Sequence, residues 1–201
     1  MLLIGFFAVR IAAADSAPDT CEIRLSLRAR AVLPLARIGM LQVGMHVAAT
    51  ALWPSGYNPL AVEKNRRQLA RSWTRRPDYD AGAKLFESDG DWWYFNVFAH
   101  GLFGSEGYLA GRDLGHGPMV SFLYALLAST TWEYLVEGFY KQPSAIDLFW
   151  TPACGVLLGE LRYRLHRWVS TRISARPLRT ILRVALNPFG TFQDLLMGCE
   201  R

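Results

Sequence analysis

Residues 114–137 read LGHGPMVSFLYALLASTTWEYLVE, and this stretch decides the fold. Leu114 to Trp132 is nineteen residues without a formal charge, followed by Glu133 and Glu137. A run of this length and pattern is a helix rather than a strand. No convincing period-two alternation occurs elsewhere in the chain. The expected fold is therefore all-α, a compact bundle of four to six helices, membrane-embedded or membrane-associated.

Ala31–Trp53 is apolar with Arg37 inside it and is stopped by Pro54-Ser55-Gly56. Only Ile38–Trp53, sixteen residues, is expected to form one helix there. Glu63–Arg75 reads as a polar helix ended by Pro77. Ser88-Asp89-Gly90-Asp91 supplies caps for a helix from Trp92 toward Phe103. Gly101, Gly104, Gly107 and Gly111 follow at three- and four-residue spacing. Glycine costs about 1 kcal/mol per helical position, so they imply either close helix–helix approach or a break into loops after Phe103. Pro143-Ser144 opens the segment Ala145–Trp168, apolar as far as Gly159 and basic beyond. Asn187-Pro188 closes a shorter helix, and Thr191–Met197 adds a turn or two. The apolar runs fall just under the roughly twenty residues needed to cross a bilayer. Tilted spans, re-entrant helices and a bundle lying on the membrane all stay open.

Composition agrees with that picture. Of 201 residues, 51% are hydrophobic and only 19% charged, against about a quarter charged in a soluble domain. Disordered, collagen-like, coiled-coil and disulfide-scaffold classes are excluded. The net charge is +5, unevenly spread: seven arginines between Glu160 and Arg183, against that one acid, give +6 locally and leave −1 for the rest. Arg162, Arg164, Arg167, Arg172 and Arg176 are candidates for contact with anionic lipid head groups; the other reading is the solvated face of a terminal helix. Membrane lipid is the expected partner, with other envelope proteins or a larger membrane complex. No nucleic-acid motif is present, and nucleic acid is not an expected partner. Three cysteines allow at most one disulfide. Leu2–Val9 and Ala12-Ala13-Ala14 read as an export signal over residues 1–14, with a retained anchoring helix as the alternative. Residues 15–30 then form a tail and 31–201 one helical domain, whose C-terminal helices over 161–201 are basic.

The candidate chemistry lies between Asn96 and Glu160. Glu133 and Glu137 share one helix face, as do Asn96 and His100, and Tyr108 and Arg112. Ionisable groups in an apolar run need partners. His100, Glu133, Glu137 and Asp147 are therefore candidates for an acid–base centre, and His100, Glu133 and Glu137 for metal ligands, since histidine with carboxylates suits zinc, iron or manganese. Asn96, Arg112 and Glu160 complete the expected polar centre. Structural roles compete with these. Arg112 can form a buried salt bridge with Glu133 or Glu137, Asp147 stands three after Ser144 at capping-box spacing, and His100 can hydrogen-bond a backbone carbonyl. No nucleophile elbow or phosphate loop occurs, and no cofactor is expected. Lys141-Gln142-Pro143-Ser144 is similar to part of a lipid-phosphatase signature, but the histidine that should follow closely is absent.

With these residues in view, Trp73–Glu160 resembles a bacterial family described as domain of unknown function 3943. The resemblance rests on Pro77-Asp78-Tyr79-Asp80, Asp91-Trp92, Asn96 before Ala99-His100, and Gly104 with Tyr108 and Arg112. It continues through Ser129, Trp132-Glu133-Tyr134, Glu137, Pro143-Ser144, Asp147, Thr151-Pro152, Gly155 and Gly159-Glu160. Gly101 stands where that family usually has proline. The resemblance implies an exported envelope protein of Gram-negative bacteria with no assigned activity. The order His, Glu, Ser-x-x-Asp, Gly-x-x-x-Gly is more loosely similar to VanZ-like membrane proteins. The leading expectation is a structural, accessory or binding module of the envelope; the alternative is a membrane-embedded hydrolase or lipid-modifying enzyme using the His/Glu/Asp centre.

Overall fold

The computed structural model describes residues 25–196. The expected export signal over residues 1–14, Cys21 and Cys199 lie outside the described residues. Seven α-helices follow in order: α1 Leu27–Leu52, α2 Val62–Thr74, α3 His100–Arg112, α4 Pro118–Thr131, α5 Ala145–Arg172, α6 Arg176–Leu186 and α7 Pro188–Leu196. No strand occurs among the described residues. The all-α reading holds, with one helix more than expected.

The first helix is longer than the apolar run alone implied. It begins at Leu27, where the Ser26 hydroxyl accepts the Ala29 N–H at 3.2 Å, and passes through both Pro34 and Arg37. Two compensations make this possible. Proline has no N–H to offer the carbonyl four residues back, and the Arg30 carbonyl is taken instead by His116 Nε2 at 2.9 Å. Arg37, which looked like an interruption, points inward. Its guanidinium lies 2.6 Å from Glu106 Oε2 and 2.7 Å from Asp113 Oδ2.

The glycines of α3 settle the second open question in favour of close packing, because the helix runs unbroken to Arg112. One glycine edge faces α5: a Cβ on Gly104 would lie 1.9 Å from the Thr151 carbonyl oxygen. The other faces α4, where a Cβ on Gly111 would lie 2.9 Å from Ser121 Cα. Phe103, Ala110, Ala128, Trp132 and Ile38 close the apolar core between α1, α3 and α4.

These contacts set the direction of each helix. Going along α3, His100 meets Thr151 and Arg112 meets Glu160, so α3 and α5 run parallel. Gly107 meets Ala125 while Gly111 meets Ser121, so α4 runs antiparallel to both. Arg30 meets Leu114 and Gln42 meets Ala128, so α1 lies alongside α4 in the same sense. One end of the bundle gathers the start of α3, the end of α4 and the start of α5. The other gathers the arginine-rich end of α5 with α6 and α7.

Candidate functional site

Two single-turn π-helices, Phe95–Ala99 before α3 and Trp132–Val136 after α4, shape the first of these ends. A π-turn accommodates one extra residue in a helix and is frequent at functional sites. Asn96 and Glu133 sit in these two turns, and both are fully buried. The Asn96 amide donates to the Phe86 carbonyl at 3.1 Å and to Asp89 Oδ1 at 2.9 Å, tying the loop before α3 to the centre.

Glu133 accepts the Ser144 N–H on Oε2 at 2.8 Å, and its other oxygen has no partner. Ser144 in turn caps α5, its hydroxyl accepting the Asp147 N–H at 3.2 Å. Half of a capping box is thus present, but its return bond comes from Glu133 and not from Asp147. That leaves the Asp147 carboxylate free of capping duty. It is fully buried, neither of its oxygens has a hydrogen-bond partner, and it lies 3.5 Å from His100 Nδ1. His100 Nδ1 also stands 3.2 Å from Thr151 Oγ1. One ligand atom from each of His100, Glu133 and Asp147 falls within 4.8 Å of the others.

Glu137 belongs to an adjoining cluster. It accepts the Tyr57 hydroxyl and pairs with Lys141 Nζ at 3.2 Å, and Lys141 also pairs with Asp91. Burial pushes the Asp147 carboxyl up to about 8, helped by the Asp89 charge. Burial also lowers the His100 imidazole below its ordinary value, so it is held neutral. Lys141 moves upward despite its burial, because Glu137 and Asp91 flank it. Buried Glu133, Glu137 and Asp147 are thus flanked by half-buried Asp89, Asp91 and Lys141.

The expected polar centre is two centres. His100, Glu133, Asp147 and Asn96 come together, with Glu137 beside them, but Arg112 and Glu160 do not join. Twelve residues separate Arg112 from His100 along one helix, about 18 Å. Arg112 Nε bonds Glu160 Oε2 at 3.1 Å, and Tyr108 and Arg164 bond the same carboxylate at 2.8 Å each. Neither Glu133 nor Glu137 is the partner of Arg112. Asp147, and not Glu137, is the acid that stands with His100 and Glu133. Arg162 is not available to lipid: it is buried, 2.5 Å from Glu106 Oε1, and its Nε bonds the Leu186 carbonyl. Arg164 is exposed while bonded to Glu160, Arg167 is half-buried with its guanidinium on the Tyr163 hydroxyl, and Arg172 and Arg176 are exposed.

Four residues of these clusters escape a sequence reading. Asp89 looks like a cap, Tyr57 sits in a turn, and Glu106 lies amid glycines. Lys141 alone carried a signal, standing one helical turn after Glu137. A separate apolar cavity of about 600 Å³ opens beside the second π-turn, lined by residues including Gln42, His46, Leu135, Val136 and Tyr140.

An all-helical bundle around a buried histidine–carboxylate cluster is the class of protein that the fold and the site define. The chain belongs to the family described as Domain of unknown function (DUF3943), which matches residues 85–189, just over half of its length. The matched region holds both π-turns, the three clustered side chains and the arginine-rich helix ends. No curated protein and no solved structure matches the chain.

Proposed function

We propose that the chain is a membrane-associated protein of the cell envelope, acting as an accessory or binding module. The observation that carries this reading is the outer face of α1. Its polar residues Arg37 and Gln42 turn inward to α3 and α4, which leaves apolar side chains facing out. Met40, Val43 and Val47 are 64%, 66% and 62% exposed. Leu27–Leu52 and Pro118–Phe139 are both long and apolar enough to cross a membrane. Because Arg37 and Gln42 of α1 bond groups of α3 and α4, α1 is part of the packed domain. Exposed Trp92, Trp93 and Phe98 at the site end suit a membrane–water interface. Carbonate extraction of membranes tests this reading: the chain should stay in the pellet, and release into the supernatant would overturn it.

The catalytic alternative, a membrane-embedded hydrolase or lipid-modifying enzyme, is favoured by one observation, the unpartnered carboxylate oxygens around His100. Glu133→Gln separates the two readings. Loss of function at normal abundance supports chemistry, and loss of the protein itself supports a packing role.

A further inference from the structure

We infer that His100, Glu133 and Asp147 form a binding site for one divalent first-row metal ion, of the zinc or manganese type. This goes beyond the membrane reading and does not depend on it. The three side chains come from three elements: the first residue of α3, the second π-turn and the first turn of α5. Their ligand atoms fall within 4.8 Å of one another. Ligands sharing one ion at bonds of about 2 Å stand roughly 3 to 4 Å apart, so side-chain adjustment of an ångström or so closes the set.

The second, independent observation is the state of the oxygens. Glu133 and Asp147 are both fully buried, and three of their four carboxylate oxygens have no hydrogen-bond partner. Buried polar groups are nearly always paired, and buried charges are paired or coordinate metals. The lysine nearest in sequence to these acids, Lys141, is already placed between Glu137 and Asp91. A divalent cation would satisfy the orphan oxygens of Glu133 and Asp147.

A supporting contact is present as well. Ser144 N–H fixes Glu133 through its fourth oxygen. Such partners orient metal ligands. One imidazole nitrogen with carboxylate oxygens suits zinc, iron or manganese. Calcium wants six to eight oxygens, and copper(I) wants sulfur. Cys154 is outside the cluster, its Sγ lying toward Gly101. His100 is the one ligand whose side chain is partly exposed, at 12%.

The test uses the full chain in detergent micelles, stripped with a chelator, incubated with zinc or manganese chloride and freed of loose metal by gel filtration. About one ion per chain should remain, with a rise in melting temperature. Asp147→Asn and Glu133→Gln should each lower retention at least tenfold, while Glu160→Gln at the other end keeps it. Should either isostere fail to fold, His100→Ala in the same assay serves, expected to melt at the same temperature with and without metal. The inference falls if the wild type retains no metal. It falls equally if the site variants retain as much as the wild type, which would mark the ion as adventitious.

Discussion

Arg37 of α1 and Glu106 of α3 form a 2.6 Å ion pair in the interior of the bundle, each side chain under a tenth exposed. Glu106 offers its second oxygen to Arg162 of α5, so one carboxylate joins three helices. Removing one partner of a buried pair costs about 3–5 kcal/mol, because a charge is left stranded. Glu106→Leu removes the acidic partner of Arg162 and one of the two acids on Arg37, and should be among the most destabilising single changes in the chain. Arg164→Leu, an exposed partner of Glu160, should cost under about 1 kcal/mol. Denaturant unfolding in a fixed detergent would rank the two, and equal effects would contradict the assignment.

Gly104 and Gly39 both lie within helices but should respond oppositely to alanine. At Gly104 the new methyl would meet the Thr151 carbonyl at 1.9 Å, backbone against backbone, so α3 and α5 would have to separate. A loss of several kcal/mol is expected, in the range of severe overpacking. At Gly39 nothing lies within 4 Å. Gly39→Ala should therefore be neutral or gain up to about 1 kcal/mol from helix propensity. Thermal melting of the two variants reads this difference directly.

His116 should matter in part because of Pro34. With proline in place, His116→Ala leaves the Arg30 carbonyl without a partner and should cost about 1 kcal/mol. In a Pro34→Ala background the restored N–H can take that carbonyl, and the cost of losing His116 should shrink. A double-mutant cycle measures the coupling; additive effects would mean that the two residues are independent.

Glu160 should set part of the acid limit of stability. Burial works against its ionised form, but bonds from Arg164 and Tyr108 and the Arg112 charge outweigh it, and the carboxyl is held below its ordinary 4.5. A carboxyl lowered in the folded state stabilises above its unfolded value and loses that contribution as pH falls through the folded one. Stability should decline as pH drops below about 4.5, and Glu160→Gln should flatten that decline. Melting temperature against pH, from neutrality to about 3, would show parallel curves if Glu160 played no part.

The helices were largely legible because apolar runs and their stops are local properties. Ser144 marks the start of α5 in the sequence, whereas the spacing of Gly104 and Gly111 leaves close packing and a break into loops both open. Arg37 misled because its sign of charge is visible in the sequence while its partners, Glu106 and Asp113, lie about seventy residues away. Arg112 was assigned to the wrong acids for the same reason: helix direction, not chain order, brings it to Glu160. Asp147 stands at capping-box spacing, so the sequence leaves a return bond to Ser144 and an acid–base role both open to it. Only the three-dimensional arrangement shows Glu133 taking over that bond and leaving Asp147 available.

Asn96 and Glu133 owe their positions to turns that hold one residue more than a regular helix allows. Each residue of an α-helix advances about 100° around the axis. Shortening either turn by a single residue would restore an ordinary helix and swing its side chain away from His100 and Asp147. The interior chemistry of this bundle is thus governed by chain length at two points as much as by the identity of the amino acids there. Relatives differing by one-residue gaps at these turns could keep the fold while losing the cluster.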